Sequence, residues 1–326
     1  MHPAYIEELY NQKLISEEEY AALKEQQKQP VSLFTDLHAL LYAGILLLAT
    51  GLGVLIYKNI DSISHAAVVA VIALLCIGCF VYCFKELPGF SPIKQMVTYP
   101  LADNILLLGC LLLLTLTGYL QYQYNLFGNH WGLATFFPMV LLFFFAYYFD
   151  HLGVLSLAIT NLAAWLGITV TPLNILKSNN FSDPHLFYSG IVLGMGLLLV
   201  AYISGKKNIK AHFGFTYRNF GIHLLFICLF AGMFYYERFY FIWFLFIIGL
   251  TAIMWFYSIK NSSFYFFVTA VLYGYAAICC AVYRLLYISD VIETFYLYAI
   301  WIICSGIALI YLLIRYNKII KHGAPV

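Results

Sequence analysis

Charge is what this sequence has least of. Only 10% of its 326 residues are Asp, Glu, Lys or Arg, while 63% are hydrophobic; soluble domains carry about 25% charged residues. Even a large soluble core leaves much of the chain exposed, so the solvent for most of these residues is lipid. The formal net charge of +2 leaves no electrostatic footprint for nucleic acid, and no basic stretch is interleaved with aromatics. The eight cysteines all fall inside apolar runs, which excludes the spaced disulfide framework of a secreted domain. The first 30 residues are polar and acidic, without the apolar stretch of a signal peptide. Phosphate-cradling glycine loops, HExxH, Gly-x-Ser-x-Gly and paired haem-type histidines are all missing. The loops are too short for the clustered acids or histidines of a membrane enzyme. The reading is therefore not an enzyme, with no cofactor and no metal site.

Long apolar runs are what the sequence has in abundance. A helix crossing the hydrocarbon core needs about 20 apolar residues. Such runs fall at 38–57, 64–84, 101–120, 131–149, 152–173, 186–204, 219–236, 239–258, 263–285 and 294–315. The fourth and fifth are joined only by the tight polar turn at Asp150 and His151. The runs are continuous rather than alternating, which argues against a barrel. The 28 Tyr residues suit the interface, where the ring is buried and the hydroxyl stays wet. With the N-terminus in the cytoplasm, thirteen Lys and Arg fall in cytoplasmic segments and four outside. That bias predicts a bacterial inner-membrane protein with both termini cytoplasmic. The expected fold is an all-α integral membrane protein. A cytoplasmic helical hairpin (1–37) precedes about ten transmembrane helices (38–315), and a basic tail (316–326) follows.

The hairpin is read at 4–12 and 16–28. Ile6, Leu9 and Tyr10 make one apolar stripe; Tyr20 and Leu23 continue a second, and Leu14 packs at the bend. Ser16 followed by Glu19 is a capping box, and Pro30 ends the second helix. LYNQKLISEEEYAALKEQ resembles short helical-hairpin modules of the SHOCT type, with Lys13 where those carry Gly at the turn. That resemblance implies oligomerisation.

LLYAGILLLATGLGVLIYKNIDSI, residues 40–63, follows the hairpin directly. Residues 4–65 resemble the bacterial membrane-protein family called domain of unknown function 2157. Tyr57 and Asn59 stand for the aromatic and the Asn of its "aromatic-x-x-Asn-(Trp)" loop, separated here by one residue rather than two, with Ile60 replacing the Trp. The resemblance implies an integral inner-membrane protein with no assigned activity, found alongside other small multi-span proteins.

Polar groups inside a membrane are costly and are candidate functional positions. Asp103 and Asn104 open the third span, as a helix cap or a cation site. Asn161 lies mid-way in the fifth, as an inter-helix hydrogen bond or part of a path. His223 lies in the seventh and needs a partner, for which Asp103 or Asp150 would serve; Arg218 snorkels nearby. Glu237, Arg284 and Glu293 form a candidate outer-face ion pair. Cys76, Cys79 and Cys83 share one helix face and read as small packing residues rather than a thiolate site. GIVLG, residues 190–194, lets helices approach closely.

Two functions fit. The first is a non-enzymatic component of a membrane complex, its hairpin docking a second copy or another small multi-span protein. Residues 1–37, at net −4, support this. The alternative is a ten-span transporter of a small solute or lipid-linked molecule, built from two five-helix halves.

Overall fold

The computed structural model describes residues 16, 20, 34–59, 64–94, 100–128, 130–170, 184–286 and 291–322; at 34–38, 49, 52, 55–59, 100, 170, 291–294 and 321–322 it describes the backbone alone. The chain divides into two compact units, 1–63 and 64–326. In the first, the described residues form one long helix, α1 (Phe34–Asn59), with an apolar stretch at Ala39–Leu48. Before it, the Tyr20 backbone N–H donates to the Ser16 carbonyl at 2.9 Å. The other residues expected to shape the hairpin, Ile6, Leu9, Tyr10, Leu14 and Leu23, lie outside the described residues.

The second unit holds α2 (His65–Glu86), α3 (Pro100–Tyr124), α4 (Trp131–Tyr148), α5 (Leu152–Val170) and α6 (Pro184–Lys207). It continues with α7 (Phe213–Tyr235), a 3-10 turn (Glu237–Phe239), α8 (Tyr240–Lys260), α9 (Phe264–Leu286) and α10 (Val291–His322). Among the described residues, nine helices are long and apolar enough to cross a membrane. Together with α1 they make an all-α membrane protein of about ten helices. Backbone groups in hydrocarbon must be satisfied within their own segment, and helices do that.

Within the second unit, helices adjacent in sequence pack side by side, and α5 also touches α3 and α7. One hydrophobic core joins α7, α8 and α9 through Ile222, Phe226, Met233, Ile247, Phe266 and Ala270. Helix α7 is central, with 50% of its apolar window buried, whereas α10 buries none of its own.

The GIVLG stretch acts within the chain. A Cβ on Gly194 would lie 2.8 Å from Leu225 Cγ, and one on Gly221 would lie 2.9 Å from the Gly194 carbonyl. The backbones of α6 and α7 therefore meet directly. Cys76 and Cys83 pack against α3, their thiols facing the carbonyls of Gly109 and Ala102 at 3.5 and 3.6 Å. Among the described residues, no group of three or more His, Cys, Asp or Glu is placed to hold a metal.

Candidate functional site

One cluster of polar residues gathers at the end of the bundle where the α2–α3, α4–α5 and α6–α7 connections meet. The α4–α5 turn comes first, because its geometry aims the others. Asp150 sits at φ +59° just past α4, a left-handed position that a short polar side chain tolerates. The His151 N–H then reaches back to the Ala146 carbonyl at 3.1 Å, which closes α4 as a Schellman motif. His151 also opens α5: its Nδ1 accepts the Val154 N–H at 3.0 Å, as an N-cap side chain does. Its other nitrogen, Nε2, lies 3.4 Å from Asp103 Oδ2. An imidazole that accepts at Nδ1 and donates at Nε2 is neutral. Burial pushes the His151 pKa below the ordinary histidine value, outweighing the opposing pull of Asp103.

Asp150 faces the α6–α7 connection. Lys210 Nζ lies 2.7 Å and His212 Nε2 2.8 Å from the same carboxylate oxygen. The Lys210 side chain is 0% exposed and that of Asp150 4%, so this is an interior ion pair. Lys210 also sits at φ +50°, rare for a long side chain, at a cost of about 1–3 kcal/mol. Its backbone N–H donates to the Pro92 carbonyl at 2.9 Å, and its own carbonyl accepts the Ser204 hydroxyl at 3.0 Å. Its ammonium stands 5.4 Å from the centre of the Phe90 ring. One residue thus joins three connections, and these bonds over-determine the strained backbone. The arrangement is a clasp.

Deeper in the bundle, Tyr273 Oη lies 2.9 Å from His223 Nδ1, and His223 Nε2 lies 3.3 Å from Tyr265 Oη. Tyr265 donates onward to Asn219 Oδ1 at 2.7 Å. His223 therefore finds tyrosines of α9, and not Asp103 or Asp150 as its sequence position suggested. It lies ten residues into α7, roughly 15 Å along its axis, while the aspartates belong to the clasp. The Arg218 guanidinium stacks on the Tyr257 ring at 4.9 Å. Asn161 donates to the Thr135 carbonyl at 2.9 Å and ties α5 to α4. Asn104 is buried one turn into α3.

At the opposite end, Arg284 donates to the main-chain carbonyl of Glu237 at 3.1 Å and lies over the Tyr240 ring at 4.4 Å. The Glu293 side chain lies outside the described residues. His65 is bonded to Tyr119 Oη at 2.7 Å. Gln121, which the sequence reading passed over, braces the α3–α4 connection: its amide donates to Asn125 Oδ1 and the Gly128 carbonyl and accepts the Phe127 N–H. Lys210 and His212 were also passed over, Lys210 being counted only as a loop cation. The signal for the clasp was the two-residue Asp150–His151 turn, too short to leave its carboxylate far from the neighbouring connection.

Residues 7–155 match the model of the family described as Predicted membrane protein (DUF2157). The match takes in Asp103, Asp150 and His151 and stops short of Lys210 and His212. No curated protein and no solved structure matches the chain.

Proposed function

We propose that the chain is a non-enzymatic component of a membrane complex. It would lie in the bacterial cytoplasmic membrane with both termini inside, and residues 1–37 would form its docking hairpin. The supporting observation is the state of α10. None of its apolar window is buried in the chain, and an apolar cleft of about 520 Å³ opens between α8, α9 and α10. Trp255, Phe267 and Tyr316 close the cleft at one end. Trp301 lines it, and its buried indole N–H has no hydrogen-bond partner among the described residues. Packing and inter-helix hydrogen bonds drive association in lipid. A helix of a second copy, or of another small multi-span protein, would fill the cleft with side chains. The transporter reading asks for polar groups along a path. Asp103, Asp150, Asn161 and His223 are instead engaged with partners inside the chain, which favours the structural role.

The experiment compares the full chain, a version without residues 1–30, and Ala308→Trp in the cleft. Each is expressed at native levels and sized in mild detergent with its co-purifying proteins. The expected result is a defined assembly for the full chain that is lost in both variants. Monomers without partners in all three would end this reading.

A further inference from the structure

Between α5 and the tightly joined α6–α7 pair lie two cavities of about 360 Å³ each. They share four lining residues, Ala163, Leu193, Leu224 and Ile227, so they are two halves of one slot. Along α7 the slot runs from Asn219 to Ala231, roughly 18 Å at the rise of a helix. Half of the hydrocarbon core measures about 15 Å. The slot is therefore about as long as one leaflet's hydrocarbon. Thr160, Ile227 and Ala231 on its rim are exposed, so it opens sideways toward the bilayer.

Its walls are unequal in chemistry. Most of the lining is apolar, while the end nearest the clasp carries Asn219 and His223. The hydrogen bonds there have a direction. Tyr265 donates to the Asn219 carbonyl oxygen, and an amide held by its oxygen keeps its NH₂ as a donor. The slot thus combines a hydrocarbon channel with a hydrogen-bond donor at one end. Near the donor the cavity has a mean cross-section of roughly 30 Å², from its volume over the rise between Asn219 and Ile227. A helix 10 Å across needs about 80 Å². The slot is therefore too narrow to take in a whole helix, and the apolar walls argue against a polar solute.

We propose that this slot is a binding site for one acyl chain of a bilayer phospholipid, with the lipid's ester carbonyl turned to the Asn219 amide. This site is separate from the α8–α10 cleft and does not depend on the complex proposed above.

The test uses the full chain in vesicles of phosphatidylethanolamine and phosphatidylglycerol. These carry a phosphatidylethanolamine with a photoreactive diazirine on one acyl chain, and the adducts are mapped by peptide mass spectrometry. Adducts are expected to concentrate on the α5–α7 lining, around Ala163, Leu193 and Ile227. Ala163→Phe fills the shared waist and should lower them about tenfold, the effect of excluding about two methylenes. Ile227→Phe, from the opposite wall, should act alike, and adducts on the exposed faces of α2 and α8 should stay constant in both variants, which reports an intact fold. Asn219→Leu should weaken labelling less than the waist variants do. Adducts spread over all helices in proportion to exposed surface, or unchanged in both waist variants, would overturn the proposal.

Discussion

Replacing Asp150 by Asn tests whether the clasp holds the bundle together. The substitution keeps shape and removes one charge. Lys210 Nζ, 2.7 Å away and with no exposed surface, is then left in the interior without a counter-ion. At an effective dielectric near 20, the lost attraction is about 6 kcal/mol. Desolvation already offsets part of that attraction in the parent protein, and removing one partner of a buried pair typically costs about 3–5 kcal/mol. Asp150→Asn should lose that much, read from unfolding in mixed dodecylmaltoside–SDS micelles by tryptophan fluorescence. Lys210→Met should lose a similar amount, because it strands the carboxylate while keeping the side-chain stem and the same backbone strain. The double variant carries the decisive information. Two neutral side chains of similar volume strand no charge, so its loss should fall short of the sum of the singles by about 1–3 kcal/mol. Singles within about 1 kcal/mol of the parent, or a strictly additive double, would refute the clasp as an interior ion pair.

Four further outcomes follow from the same geometry. His151 is held neutral in the fold with its pKa lowered, so the folded state binds fewer protons than the unfolded one. Stability should be complete above the unfolded value of about 6.5 and fall as pH drops from there through the folded pKa. His151→Asn, which still caps Val154, should flatten that slope in an unfolding series. Gly221→Ala drives a Cβ against the Gly194 carbonyl and should cost about 1–3 kcal/mol, while Gly196→Ala, with nothing within 4 Å among the described residues, should cost nothing in the same assay. Gln121→Leu removes the brace of the α3–α4 connection and should speed hydrogen exchange at the Phe127 amide by about tenfold or more, as the loss of one buried bond implies. If both termini are cytoplasmic, as proposed, a C-terminal green fluorescent fusion should glow and a C-terminal alkaline phosphatase fusion should stay inactive; the reverse pattern would sink the orientation.

The helices were legible because lipid imposes one rule over twenty residues at a time. Each of the ten apolar runs corresponds to a long helix. The ends drifted where hydropathy stops being informative. Helix α7 begins at Phe213 rather than 219 because Tyr217 and Arg218 bury rings and stem against neighbours while reading as interfacial. Helix α10 runs to His322 rather than 315 because its last turns are amphipathic. The partnerships were much less legible. Lys210 counted as a loop cation in the orientation argument, yet its ammonium is interior. Nothing local marks it: the partner lies 60 residues away, and only the folded turns bring them together. His223 shows the converse. Its need for a partner was evident from its depth, but tyrosines at 265 and 273 scored simply as span residues. A hydroxyl on an aromatic ring carries hydrogen bonding that a hydropathy sum does not register.

The clasp also orders events during synthesis. Asp150 emerges 60 residues before Lys210, about 3–12 s at ordinary elongation rates. Through that interval α4 and α5 already form a complete hairpin, since His151 ends one helix and begins the other without outside help. The carboxylate meanwhile waits in the aqueous layer beside the membrane. In the proposed orientation, arrival of α6 brings the ammonium to the same cytoplasmic face, and neither charge has to cross the lipid for the pair to form. Closing the clasp is then the step that joins an early hairpin to the late half of the bundle, and a ribosome stalled between Asp150 and Lys210 would leave the two halves unjoined.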